Sequence, residues 1–421
     1  MPGSALLRLK KTTMIHILRH TVFTLGMLCS LPLWAAGFMD DSKARLDIRN
    51  FYYNGDFRED AGVSKRDEWA QGLLLQYESG FTEGTVGLGL DAMGFWGLKL
   101  DSSPDRTGSG LLPKTNSGEA AEEYSKGGIA AKIKYSKTVL RQGIALPKVP
   151  VLQFNGSRMF PQFYQGTQIS SNEITGLSLN VAQFDRTTTP DSTDLQKIMI
   201  ATKEGRFRAT GEGDHFRYGG GSYTVTPALT ASYYYGELQD VYRQHFLGLT
   251  HRQKWGEGTV EGDLRTFFSR DTGAARVGEI ENDVYSGSVM YSVKGHSFTA
   301  VYQHLEGSSG FPYINNPYLP NYVQYHDFGT AGERSWQVRY GYDFAPMGLP
   351  GLSFFTSYIH GSHLDKVGGG HEWERDIDVT YVVQQGLKGL SIRWRNATYR
   401  SSYGRDIDEN RLIINYPFSF L

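Results

Sequence analysis

Leu390-Ser391-Ile392-Arg393-Trp394-Arg395, and at the end of the chain Arg411-Leu412-Ile413-Ile414-Asn415-Tyr416-Pro417-Phe418-Ser419-Phe420-Leu421, decide the fold class. In a strand, successive side chains point to opposite faces. Leu390, Ile392 and Trp394 then share one face, and Ser391, Arg393 and Arg395 the other. In the last segment Leu412, Ile414, Tyr416, Phe418 and Phe420 line one face, with Arg411 and Asn415 opposite, and only Leu421 falls out of phase. A sheet with one oily face and one carrying guanidinium groups fits a barrel wall between lipid and an aqueous lumen.

Composition agrees. Among 421 residues there are 50 Gly, 26 Tyr, 23 Phe and 7 Trp, the usage of many short strands and turns. Basic and acidic residues number 43 and 44, so the total carries no nucleic-acid footprint. Arg8, Lys10, Lys11 and Arg19 precede an apolar stretch from Thr21 to Leu33 and the small-residue site Ala35-Ala36-Gly37. Residues 1–36 are therefore expected to be a cleavable secretory signal, with Met14 as an alternative start. A short membrane anchor is the competing expectation. The sole cysteine, Cys29, lies inside that signal, so residues 37–421 hold no disulfide and no thiol nucleophile. Beyond the signal no run reaches the roughly 18 apolar residues of a membrane helix, and a spanning structure must be a closed barrel.

From residue 43 onward, alternating segments joined by tight turns recur, separated by polar or Gly/Pro-rich insertions at 97–124, 146–166, 187–213 and 306–333. Short and long connections alternate, except for the brief link at 238–241. Residues 195–202 are apolar enough for a strand, but counting them would reverse which side carries the short turns. Left in a loop, they give an all-β, membrane-spanning antiparallel barrel of about 18 strands, with short periplasmic turns and long extracellular loops. A soluble sandwich or propeller is the alternative, its apolar face meeting a second sheet.

In a closed barrel the last strand pairs with the first. Arg393, Arg395, Arg411, Arg45 and Arg49 then become neighbours on the inner face. Arginine suits carriage of carboxylates because its planar fork binds them bidentately and stays charged. Pairing with inward acids such as Asp47 and Asp378 is the structural alternative for each of them. The 146–166 and 306–333 insertions, with aromatics, prolines and few charges, are candidates to fold inward as a constriction. There Arg158 would contact an anion, Asp327 would stand opposite it, and Tyr313, Tyr322 and Tyr325 would shape the opening.

Arg45-Leu46-Asp47-Ile48-Arg49-Asn50-Phe51-Tyr52, Gly156-Ser157-Arg158-Met159-Phe160-Pro161-Gln162, Val323-Gln324-Tyr325-His326-Asp327-Phe328 and Asn415-Tyr416-Pro417-Phe418-Ser419 resemble the OprD-type outer-membrane carboxylate channels. The resemblance covers nearly all of the chain after the signal. It implies an eighteen-stranded porin for small carboxylates in a Gram-negative outer membrane, monomeric or loosely trimeric, with a basic ladder and an inward third loop. Arg158 matches the family's constriction arginine, Tyr325 and Asp327 its facing loop residues, and Arg393, Arg395 and Arg411 its ladder. Tyr322 stands where a small residue is common, and the loops are short beside some members.

Enzymatic and cofactor signatures are missing from the sequence. Near Lys114-Thr115 Pro113 replaces the glycine a phosphate loop requires, and there is neither His-Glu-x-x-His nor Gly-x-Ser-x-Gly. His360 and His363 are too isolated to suggest a metal site. No cofactor, metal or nucleic acid is expected. An outer-membrane hydrolase and a soluble periplasmic binding protein remain the competing functional classes.

Overall fold

A computed structural model describes residues 36–58, 62–203, 206–207, 211–365 and 368–421. The expected signal thus lies, but for Ala36, outside the described residues. A short helix, Ala36–Asp40, leads into the first strand.

Eighteen antiparallel strands follow in one sheet. In chain order they are β1 (Lys43–Phe57), β2 (Lys65–Glu78), β3 (Val86–Asp101), β4 (Glu123–Tyr135), β5 (Thr138–Ala145) and β6 (Phe163–Ser171). Next come β7 (Leu177–Thr188), β8 (Phe216–Thr226), β9 (Leu229–Leu238), β10 (Tyr242–Trp255), β11 (Gly258–Asp271) and β12 (Glu281–Val293). The series ends with β13 (His296–Glu306), β14 (Arg334–Asp343), β15 (Leu352–Leu364), β16 (Gly370–Val382), β17 (Ser391–Ser401) and β18 (Ile407–Ser419). β1 pairs with β2 on one side and with β18 on the other, from Arg45↔Ser419 to Phe57↔Ile407, so the sheet closes and has no edge. Closure lets every strand satisfy its backbone within the sheet, the condition for crossing lipid.

Turn chemistry puts the tight connections at one end, apart from the link of residues 239–241 between β9 and β10. Lys294-Gly295 joins β12 to β13 with positive φ at both residues (49° and 86°), the geometry whose twist matches two antiparallel strands. Residues 146–162 and 307–333 connect strands at the opposite end. Residues 195–202 stay out of the barrel, since Ile198–Met199 pairs only with Glu212–Gly213. β3 runs past the expected end of its alternation at Phe95 to Asp101. Gly97 there is an in-sheet glycine and not a turn signal: a Cβ would lie 2.6 Å from the Tyr124 ring and 3.2 Å from Phe160.

The outer wall is apolar and open, with Ile48, Leu75, Leu88, Ile133, Leu247, Leu264, Val338, Ile392 and Phe418 all exposed. The packed cores are inside the ring. One gathers Phe184, Phe216, Tyr242, Phe267, Phe311 and Leu319; the other gathers Phe51, Phe95, Tyr124, Met159 and Phe160. Loop residues take part in both, so inward-folded loops fill two sides of the lumen. The wall from β16 through β18 to β1 remains for polar chemistry.

Candidate functional site: a basic recess under inward loops

Ring closure sets the register of this wall. Arg49 faces Asn415 across β1 and β18, Arg395 faces Arg411 across β17 and β18, and Arg393 faces Thr380 across β16 and β17. Arg49, Arg158, Arg393 and Arg395 then line one recess of about 420 Å³, together with Thr380, Ser391 and Asn415. Arg411 lies deeper, with only 2 % of its side chain exposed against 40 % for Arg393.

Inward acids do pair with some of these arginines. Arg45 meets Asp47 at 2.5 Å, Arg393 and Arg395 share Asp378 at 2.6 and 3.0 Å, and Arg411 meets Glu409 at 2.6 Å. Arg49 and Arg158 have neutral acceptors instead. Arg49 donates to Asn415 Oδ1 (3.2 Å) and to the carbonyls of Arg158 (3.2 Å) and Met159 (3.0 Å). Arg158 donates to the Ser109 carbonyl (2.9 Å) and to Ser157. Four arginines thus share three carboxylates, and two more guanidinium groups sit beside them with no ion pair of their own among the described residues. The recess holds an excess of positive charge. Burial, and after it the neighbouring charge of Arg411, lowers the Arg158 pKa from its usual value, although Tyr53 and Glu409 oppose this. An anion in the recess would relieve both effects.

Two loops hold Arg158 over the recess. In residues 146–162, Met159 and Phe160 are fully buried, and Phe160 packs on Phe95 and Tyr124 with ring centroids 5.4 and 4.9 Å apart. The approach depends on Gly72, where a Cβ would come within 2.5 Å of Met159 Sδ. Residues 307–333 meet this loop through Asn155 Nδ2 donating to Asn315 Oδ1 (3.0 Å) and Asn316 Nδ2 to the Phe154 carbonyl (3.4 Å). They are then clamped to the inner wall. The Tyr325 and His326 amides donate to Glu374 at 2.8 Å each, Gln324 Nε2 donates to Glu409 at 2.9 Å, and Arg411 donates to the Gln324 carbonyl at 3.0 Å.

Asp327 requires a correction. Expected as a charge opposite Arg158, it is fully buried, gripped through both oxygens by Arg206 and bonded by the Tyr313 hydroxyl at 2.6 Å. A carboxylate so enclosed is part of the loop's internal structure and presents no charge to a solute. Tyr313 is committed to that same contact. Tyr325 is half-buried, its ring 5.2 Å from that of Tyr399 and under the Lys203 ammonium at the same distance. Tyr322 is partly buried and packs against the loop-filled core.

Burial alone would push the Asp327 carboxyl up, but the charges of Arg206 and Lys203 outweigh it and hold the group well below the usual carboxylate range. Glu333 goes the other way. Burial, and then the charge of Glu372, pushes it well above the usual range against one bond from the Thr330 amide. His326 completes the clamp, with its Nε2 3.1 Å from Glu372 and its ring stacked on Tyr399 at 4.7 Å.

Glu372, Glu374, Glu409, Arg206 and His326 carry this clamp and were not among the expected site residues. A signal for part of it exists: Glu372, Glu374, Asp376 and Asp378 alternate along β16, the inward parity of four acids in a row. Arg206 left no such signal, because its partner lies 121 residues away in another loop.

Residues 36–420 match the family model described as outer membrane porin, OprD family. The chain is 38 % identical to Porin D of Pseudomonas aeruginosa, covering 92 % of this chain and 93 % of that protein. It is 35 % identical to the porin-like protein GalP of Pseudomonas putida, covering 94 % and 97 %. Among solved structures it is similar to Pseudomonas aeruginosa OccK9 (OpdG), with TM-score 0.88 and 43 % identity over 91 % of this chain and all of that one. Similarity to Pseudomonas aeruginosa OpdK, solved with vanillate, reaches TM-score 0.86 and 39 % identity over the same shares.

Proposed function

The chain belongs to the OprD family of outer membrane porins, and from that premise we propose that it admits small carboxylate-bearing nutrients by passive diffusion along its arginines. It is a channel of the outer membrane, and its relatives are porins and not enzymes. The observation that carries the carboxylate assignment is the excess of guanidinium groups over carboxylates around one recess.

Among the described residues Arg393 and Arg395 share Asp378 as their ion-pair partner. A solute carboxylate entering the recess adds a partner for guanidinium groups that share one, and the Arg393 side chain, 40 % exposed, can take it while Asp378 keeps Arg395. Arg49 and Arg158, on neutral carbonyl acceptors, offer the next contacts. Several weak, adjacent sites let an anion enter and still leave, which conduction requires. OpdK was solved with vanillate, and a carboxylate of that kind fits the same chemistry here. Export by a cleaved signal ending near Ala36, and a monomeric or loosely trimeric state, belong to the same proposal.

Liposome swelling, with planar-bilayer conductance for the charged solutes, tests it in the combined variant Arg158→Ala, Arg393→Ala and Arg395→Ala. Carboxylate flux should fall several-fold while a neutral sugar of similar size passes unchanged. Unchanged carboxylate flux in that variant would sink the assignment.

A further inference from the structure

The outer wall carries an arginine for which transport has no use. On β16, opposite the inward acids, the outward residues run His371, Trp373, Arg375, Ile377, Val379 and Tyr381. Trp373 belongs to an aromatic cluster at the long-loop end: its ring lies 5.7 Å from Tyr358, which lies 5.6 Å from Trp336, itself 6.0 Å from His360. Such clusters sit at the membrane interface. Arg375 is one pleat further in, roughly 7 Å along the strand. It is exposed on the lipid-facing wall, where a guanidinium without a counterion is costly.

The protein supplies Arg375 with little. One Nη donates to Thr398 Oγ1 at 3.1 Å, and no ion pair joins it to a carboxylate among the described residues. Its direct cross-strand neighbour on β15 is Tyr358. Alongside lies an apolar groove of about 580 Å³ in the same wall, lined by Val289, Phe298, Ala300, Val338 and Tyr340 and bordered by Tyr358 and Arg375. Depth, charge and apolar lining thus converge on one kind of occupant. A free anion would satisfy the guanidinium but leave the groove empty, and a neutral lipid would fill the groove but leave the charge bare.

We propose that this groove is a binding site for an anionic, phosphate-bearing lipid of the outer leaflet, its phosphate on Arg375 and an acyl chain along Phe298 and Val338. Long loops mark the outer side of such a barrel, so Arg375 lies one pleat below the outer-leaflet interface, and its long side chain can snorkel up to a headgroup phosphate there. The phosphate takes the guanidinium donors that Thr398 leaves open, in the bidentate geometry the fork allows.

Native mass spectrometry of the purified protein in neutral detergent tests this, with phosphatidylglycerol and phosphatidylcholine of identical chains as probes. Wild type should hold phosphatidylglycerol roughly fivefold more tightly than phosphatidylcholine. Arg375→Gln should abolish that preference, Arg375→Lys should keep part of it, and Ala300→Trp, which fills the groove, should weaken both lipids. Equal retention of the two lipids by wild type, or an undiminished preference in Arg375→Gln, overturns the site. Displacement of phosphatidylglycerol by equimolar inorganic phosphate overturns the groove's part in it. Heat-modifiable gel mobility establishes that each variant is a closed barrel, and Arg375→Met carries the charge test if Arg375→Gln does not fold.

Discussion

Two charged regions share the inner wall from β16 to β18, and they differ in what lies over them. Around Arg393, Arg395 and Arg49 the side chains border an open recess. A few residues along the same strands, Glu372, Glu374 and Glu409 are fully buried under residues 307–333. The pleat brings both sets inward in the same way. Coverage decides their roles: an exposed charge can exchange partners with a solute, whereas a covered one must be paired and fixes its loop. Substitutions in the covered region should therefore act on loop order, and those in the open region on flux.

The largest effect is expected where covering is complete. Arg206→Ala leaves the Asp327 carboxylate buried without its partner, a loss of about 3–5 kcal/mol in comparable pairs. Residues 307–333 should come loose, giving frequent conductance steps and easy proteolysis within the loop while the barrel stays closed. Removing both partners, Arg206→Ala with Asp327→Ala, should be milder than Arg206→Ala alone. If the single variant gates as quietly as wild type, the contrast between covered and open charges fails.

Overpacking comes next. Gly72→Leu forces a side chain into the space of Met159 and Phe160, a change that costs about 1–3 kcal/mol in packed interiors. Residues 146–162 should shift off the wall and carry Arg158 with them. Carboxylate selectivity should then fall although every arginine is retained, which a reversal-potential measurement would detect.

A smaller, graded effect should appear with pH. The Glu333 carboxyl is raised in the folded state, so its contribution is fully present below its unfolded pKa and is lost as pH rises through the folded one. Asp327 is depressed, so its contribution is present above its unfolded pKa and is lost only as pH falls through a value below the usual carboxylate range. Loop noise should therefore grow as pH rises from the usual carboxylate range towards the alkaline end, where Glu333 loses its proton in the folded state. Glu333→Gln should flatten that dependence, and a wild-type channel equally quiet at both ends would contradict it.

The same contrast marks what the sequence could disclose. Alternation in β14, β16 and β18 sets the face of each residue, and the order of short and long connections sets the strand number, so the barrel and its inward arginines were legible. Face is a local property of a strand. Coverage is not: whether Asp327 meets a solute depends on Arg206, in a different loop, and whether Glu374 is open depends on the path of residues 324–326. Neither contact leaves a trace in periodicity. Arg158 was identifiable as an inward-loop arginine, but its neutral acceptors, Ser109 and Ser157, emerge only when two loops are seen together.

Arg45 provides the smallest expected effect and the sharpest test of the open region's boundary. It shares a face and a strand with Arg49, so alternation alone ranks the two equally. Its surroundings do not. Arg45 is half exposed near the short-turn end of the barrel, where β1 faces Ser419, and it is paired with its own neighbour Asp47 at 2.5 Å. The pair is open to solvent on its arginine side only, over a buried Asp47, and salt weakens it from that side. Removing Arg45 takes the ion-pair partner from the buried Asp47 but leaves its bond from Asn415 Nδ2 at 2.9 Å. Arg45→Gln should lower carboxylate flux by less than about twofold. Arg49→Gln, which removes a guanidinium from the recess and two bonds to the loop carbonyls of Arg158 and Met159, should lower it further. Equal losses in the two variants would mean that the arginines act as one continuous row, and that the recess has no privileged place in it.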